Sequence, residues 1–254
     1  MNKLELVAIQ EIPLIKEGDS LVEIILLAVK KNKINLEKND ILVIAQKIVS
    51  KAEGRYVYLN EVKPSEEALS LSKETDKDPK LVQVILNESE EVIRYRKGVI
   101  VVESKLGLVH ANAGIDRSNI ESKNNNPRVL LLPTDPDKSA LKIREELYKK
   151  INIDLGVIIN DSSGRAWRNG IVGIAVGSSG SEVLSDLRGK SDLYGNNLEV
   201  TEVGSADEIA SAASLLMGQG NEGLPVVLVR GLSKSKDKSG AKKLIRKASE
   251  DLFR

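Results

Sequence analysis

Three short, unbroken apolar runs, Ile41–Ala45, Leu155–Asn160 and Pro225–Arg230, set the first limit on what this chain can fold into. Runs of that length, rich in β-branched residues, read as strands buried on both faces. Helical spacing fills Ser20–Lys31, Pro64–Thr75, Pro79–Ser89, Asp137–Lys150 and Ala206–Met217, and a proline opens the second and third of these. Leu4–Ile9, Arg128–Leu132 and the glycine-interrupted Gly170–Gly177 add strands. Val92–Tyr95, Val99–Glu103 and Leu108–Ala111, parted by Lys97-Gly98 and Leu106-Gly107, read as an antiparallel meander. Strands and helices follow no regular βαβ period. The expectation is therefore α+β, with mixed sheets in two closely associated lobes, and not a P-loop or Rossmann fold.

Composition narrows the partners. Lys plus Arg number 38 against 37 Asp plus Glu, a net charge of +1, which gives no overall attraction to nucleic acid or an anionic membrane. An anion site, if there is one, has to be local. The absence of cysteine excludes disulfides, thiolate catalysis and Cys-ligated zinc. No apolar run could span a bilayer and MNKLELVAIQ lacks a signal-peptide core, so the chain reads as cytoplasmic. Residues 1–232 read as the catalytic region. Residues 233–254 read as a charged linker, SKSKDKSG, and a helical extension over Ala241–Phe253, with Leu244, Ile245, Ala248 and Leu252 at helical spacing.

The familiar phosphate-loop, dinucleotide and zinc signatures are missing, and His110, the one histidine, sits in an alternating strand where a structural role fits. What remains is a set of polar segments beside strands. Asn112–Asp116 with Asn119, and Asn160–Arg165, each place a carboxylate after a strand. Asp116 and Asp161 read first as Asx-turn residues, with a hard cation as the alternative. The loop Gly218–Gly223 offers backbone amides to phosphate, or is a helix C-cap. Gln46–Arg55 concentrates two lysines, an arginine and a hydroxyl, suited to a triphosphate or to a solvated basic turn. Ser205-Ala-Asp-Glu208 fits a capping box, a structural reading for Asp207 and Glu208. Trp167 suits ring stacking, core or an interface.

Taken in order, these segments resemble the coenzyme F420-0:gamma-glutamyl ligase family. The matching stretches are PLIKEGD at Pro13–Asp19, VSKAEGR at Val49–Arg55, NAGID at Asn112–Asp116 with Asn119, LLP-DPD at Leu131–Asp137, NDSSGR at Asn160–Arg165, DLYG at Asp192–Gly195, ADEIA at Ala206–Ala210 and MGQGNEGLPVVLVRGL at Met217–Leu232. The resemblance implies an enzyme that joins L-glutamate to coenzyme F420-0 at the expense of GTP and then adds a second glutamate through a γ-linkage. It implies a pair of divalent cations, Mg²⁺ or Mn²⁺, a potassium ion and a homodimer. By that pattern Asp116, Asp161, Ser162 and Gln219 are metal ligands. Ile12, Pro13, Leu14, Ile15, Gln46, Lys47, Lys51, Asn119, Met217, Gly218, Gln219, Gly220, Asn221, Glu222, Gly223 and Leu224 match GTP-contacting positions. Asp116, Asp161 and Lys51 are the expected catalytic residues. Gln46-Lys47 departs from the small hydroxyl residues expected there. A related ligase with another carboxylate acceptor and a non-catalytic GTP-binding protein are the alternatives.

Overall fold

The computed structural model describes residues 3–122, 125–232 and 239–252. The chain begins a first lobe with β1 (Glu5–Ala8), α1 (Leu21–Lys31), β2 (Ile41–Ala45) and α2 (Gln46–Ala52). It then leaves for a second lobe made of β3 (Tyr56–Tyr58), α3 (Glu66–Thr75), α4 (Pro79–Asn87), β4 (Ser89–Arg96), β5 (Val99–Ser104), β6 (Val109–Ala111) and β7 (Arg128–Leu130). It returns with α5 (Pro136–Ile151), β8 (Gly156–Arg165) and β9 (Arg168–Ser179). A small hairpin of β10 (Ser185–Asp186) and β11 (Glu202–Val203) precedes α6 (Ser205–Met217) and β12 (Val226–Arg230).

The first lobe is built on one five-stranded sheet in the order β1-β12-β2-β8-β9, in which β2 and β8 run parallel and every other pair antiparallel. The alternation of the strands divides its core. Leu42, Ile44, Val157 and Ile159 face α1 and α5, while Val43, Ile158 and Val227 face Ala206, Ala210 and Ala213 of α6. The second lobe has its own core of Leu81, Val82, Ile85, Ile100, Val102 and Val129, under the meander β4-β5-β6 and the pair β3-β7. Helix starts follow their capping residues: the side chains of Ser20, Ser65, Asp78 and Asp135 each accept a first-turn amide. The α+β reading and the meander hold.

Four local expectations do not. The segment after β2, read as a possible basic turn, is α2; its seven residues are too few to show a helical period. Asn160–Arg165 is not a loop at a strand end, because β8 continues through Asp161 and turns back as β9. Ser205 caps nothing: the N-cap is Gly204 and the Ser205 hydroxyl bonds Ser185, while the Asp207 carboxylate accepts from Ala175 N at 2.8 Å. The bond lies beside a register shift between Ile159 and Asn160, which leaves Val176 without a partner, so Asp207 is structural, for a different reason than capping. Lastly, 241–252 forms two 3₁₀ turns, Ala241–Leu244 and Ala248–Glu250, instead of a helix. Ala241 is buried against α6 and β9, and Asp137 accepts from Ala241 N at 2.7 Å and Ser178 N at 2.8 Å. The linker read at 233–240 falls largely outside the described residues.

Candidate functional site

The site forms where the lobes meet, at the carboxyl ends of the parallel strands β2 and β8. Their ladder closes at Ala45 opposite Asn160; the next residues are Gln46, which starts α2, and Asp161. Asn160 lies on the α6 side, donating to Ser214 Oγ at 3.0 Å, so the two-residue alternation turns Asp161 toward α2. Asp116 arrives from the second lobe. Its backbone is bridged to Leu130 through bonds of 2.9 and 3.0 Å, and its carboxylate meets Gln46 and Lys47, not the backbone of an Asx-turn.

The side chains then interlock. Ser50 Oγ donates to Gln46 Oε1 at 3.0 Å, which leaves the buried Gln46 amide to donate to Asp116 Oδ2. Lys47 Nζ lies 3.1 Å from Asp116 Oδ1 and 3.0 Å from Ser118 Oγ. Gln46 and Lys47, where the resemblance led to an expectation of small hydroxyl residues, are therefore both engaged with Asp116. Burial and the neighbouring Asp116 charge push the Asp161 carboxyl up to about 7, against the opposing pull of Ser162, Lys47 and Gln46. Burial raises Asp116 as well, despite Lys47. A cation placed beside this buried pair would favour the ionised form of both.

Opposite α2 lies the loop between α6 and β12. Gly218 has φ +70, and a Cβ there would stand 2.2 Å from Glu222 Cδ. Gly220 N donates to Glu222 Oε2 at 2.8 Å, so the loop already holds one anionic oxygen on a backbone amide. Contacts tie the walls together: Ser162 Oγ donates to Gln219 Oε1 at 2.7 Å, Asn119 Nδ2 to Gly220 O at 2.9 Å, and Lys51 Nζ to Asn119 O at 2.7 Å. Burial first, then Lys47, lowers the Lys51 pKa.

Between the walls is a cleft of about 790 Å³. Ile12–Ile15, Gln46, Lys47, Lys51, Asn119, Asp161, Ser162 and Met217–Leu224 all line it, and Asp116 stands behind Gln46 and Lys47. The side chains of Ile15 and Met217 belong to the cores, so these residues offer the cleft mainly backbone. Asn160, from the NDSSGR segment, lines it too; Tyr56, Glu121 and Arg128 also line it and were missed from the sequence. A basic residue just after Pro127 in a short strand was the available signal for Arg128. His110 is a buried strand residue whose pKa falls to about 4 by burial, and it does not line the cleft. Trp167 sits at the exposed tip of the β8–β9 hairpin.

The donor set suits a hard cation. Carboxylates of Asp116 and Asp161, the Ser162 hydroxyl and the Gln219 amide are all oxygen donors, and among the described residues no third acidic or histidine side chain joins them into a closed cage. Mg²⁺ is commonly held this way, by one or two carboxylates with water and substrate phosphate completing the shell.

A family model described as F420-0:Gamma-glutamyl ligase matches residues 10–231. The chain belongs to this family. It is 45% identical to the coenzyme F420:L-glutamate ligase of Methanothermobacter thermautotrophicus, with 99% of each chain covered. It is 46% identical to that of Methanococcus maripaludis strain C6, covering 99% of this chain and 98% of the relative, and 42% identical to that of Methanopyrus kandleri over the full length of both. These alignments take in the C-terminal segment that docks on Asp137. No helix among the described residues is long and apolar enough to cross a membrane.

Proposed function

We propose that this protein is a GTP-dependent ligase that joins L-glutamate to coenzyme F420-0 through an acyl phosphate, and then adds a second glutamate by a γ-linkage. The observation that carries the reading is the meeting of Asp116 and Asp161, from different lobes, at the edge of the cleft that Asp161, Lys51 and the Gly218–Gly223 loop line. A carboxylate does not react with an amine until one of its oxygens is made a leaving group. Transfer of the γ-phosphoryl of GTP to the acceptor carboxylate does this; the glutamate amine then attacks the carbonyl, phosphate leaves and the amine gives up a proton.

Asp116, Asp161, Ser162 and Gln219 would hold Mg²⁺ or Mn²⁺. Bound there, the cations neutralise charge on the transferring phosphoryl. Lys51 and the loop amides position the triphosphate, with Glu222 giving way to a phosphate oxygen at Gly220 N. Ile12–Ile15 forms the rim that receives the rest of the nucleotide. The potassium requirement and the homodimer belong to the same proposal, tested by exchanging K⁺ for Na⁺ and by sedimentation. The decisive experiment is positional isotope exchange in labelled GTP with F420-0 and Mn²⁺ but without glutamate. Scrambling supports the acyl phosphate, and its absence counts against it. Glutamate-dependent GDP release separates a ligase from a GTP-binding protein without turnover.

A further inference from the structure

The cleft carries a cation that the ligase reading leaves unused. Arg128 opens β7, and its guanidinium lies over the Tyr56 ring, 4.0 Å from the centroid, with the Tyr58 ring at 5.9 Å. Nε donates to Glu121 O at 2.6 Å and Nη1 to the Tyr58 hydroxyl at 3.4 Å. A guanidinium has five N–H groups, and these bonds use two. Among the described residues Nη2 meets only the Glu121 carboxylate, at 4.0 Å, and that side chain is 86% exposed.

Arg128 itself is 19% exposed and is held flat by the ring, so it is dehydrated, oriented and poorly neutralised. Lys47 and Arg128 both repel the Lys51 ammonium, so three cations share this end of the cleft; Asp116 opposes Lys47 and Lys51, while Arg128 meets the exposed Glu121 carboxylate at 4.0 Å. Glu17 and Glu121 stand on its solvent side. A guanidinium that lines the cleft, with two of its five N–H groups used, matches a carboxylate in two-point contact.

We propose that Arg128, held against Tyr56, anchors a carboxylate of the substrates other than the nucleotide. The inference rests on the ligase reading, in which Lys51 and the Gly218–Gly223 amides serve the triphosphate. The reaction's remaining anions then include the carboxylates of glutamate and that of the acceptor, and each has to be held while the amine attacks. Tyr56 contributes a positioning surface, and Arg128 makes the contact.

Steady-state kinetics of Arg128→Lys and Arg128→Gln test this. The expected result is a rise on the order of 10- to 100-fold in KM for glutamate or for F420-0, with KM for GTP and saturating kcat nearly unchanged. The substrate whose KM moves is the one anchored. A rise in KM for GTP alone, a loss of kcat with every KM unmoved, or no change overturns the proposal. Calorimetric titration of glutamate and of F420-0, each into wild type and Arg128→Lys, needs no turnover. Weaker binding of one of them in the variant supports the anchor; equal affinity for both, or no binding by wild type, overturns it. Lack of glutamate-dependent GDP release in wild type would instead sink the ligase reading, and the titration would still judge Arg128.

Discussion

On one wall of the cleft the polar groups are side chains carried by a helix, Gln46, Lys47 and Lys51 of α2; on the other they are backbone amides of Gly218–Gly223, bent into place by glycine. The helical wall is fixed before any ligand arrives, because Gln46 is buried, oriented by Ser50 and bonded to Asp116. The glycine wall is held by a substitute, the Glu222 carboxylate on Gly220 N. Under the proposed function, charge on a helix and amides in a glycine loop are different ways to meet the same triphosphate, and they should fail differently when altered.

The largest effect is expected where both walls depend on the carboxylate pair. Asp116→Asn or Asp161→Asn should lower kcat by at least about 100-fold, the scale of losing the charge stabilisation of a transition state. The fold should survive, since each removes a carboxylate whose ionisation burial already opposes; thermal unfolding beside kinetics checks this. A variant with wild-type turnover and Mn²⁺ dependence would strike its residue from the site.

On the helical wall, Lys51→Ala should raise KM for GTP by roughly 10- to 150-fold, the value of a charge-assisted contact. An unchanged constant would return α2 to a structural role. On the glycine wall, Gly218→Ala forces a side chain into left-handed backbone and into Glu222, and should raise the same constant by about 5- to 30-fold. Gly220→Ala, whose Cβ meets nothing nearer than 3.5 Å, should do less. Equal effects at Gly218 and Gly220 would break the distinction drawn between the walls.

Protonation adds a smaller test. Asp161 has its carboxyl raised from 3.8 to about 7, so the folded state holds a proton that the unfolded state has lost between those values. Stability of the cation-free protein should thus fall as pH rises from about 4 to 7 and level off above, more steeply than in Asp161→Asn, as urea titrations at several pH values would show. Smallest for activity, and distant from the cleft, Asp137→Ala removes the acceptor of Ala241 N and Ser178 N. It should cost roughly 1–3 kcal/mol of stability with kcat unchanged.

The elements legible in the sequence were those with a period of their own: α1, α3 to α6, the meander and the buried strands. α2 was not, its seven residues being too few to show a period. The continuation of β8 past Asp161 was hidden because Ser162, Ser163 and Gly164 look like loop, and their strand conformation comes from pairing with β9. The C-terminal pattern misled for the opposite reason. Its apolar spacing is helical, yet Ala241 and Leu244 are drawn to the α6 core while Leu252 is 92% exposed, so no single helical face is buried. Most candidate site residues were found through the family motifs. Arg128 and Tyr56 belong to no such motif and meet only when β3 pairs with β7.

The central claim is that each lobe supplies one carboxylate to a cation held in the cleft. Binding of Mn²⁺, followed by its paramagnetic resonance signal in the presence of a non-hydrolysable GTP analogue at pH 8, tests it most directly in wild type, Asp116→Asn and Asp161→Asn. The account predicts tight binding by wild type that weakens on the order of 10-fold or more in both variants. Unchanged Mn²⁺ affinity in either variant would contradict it.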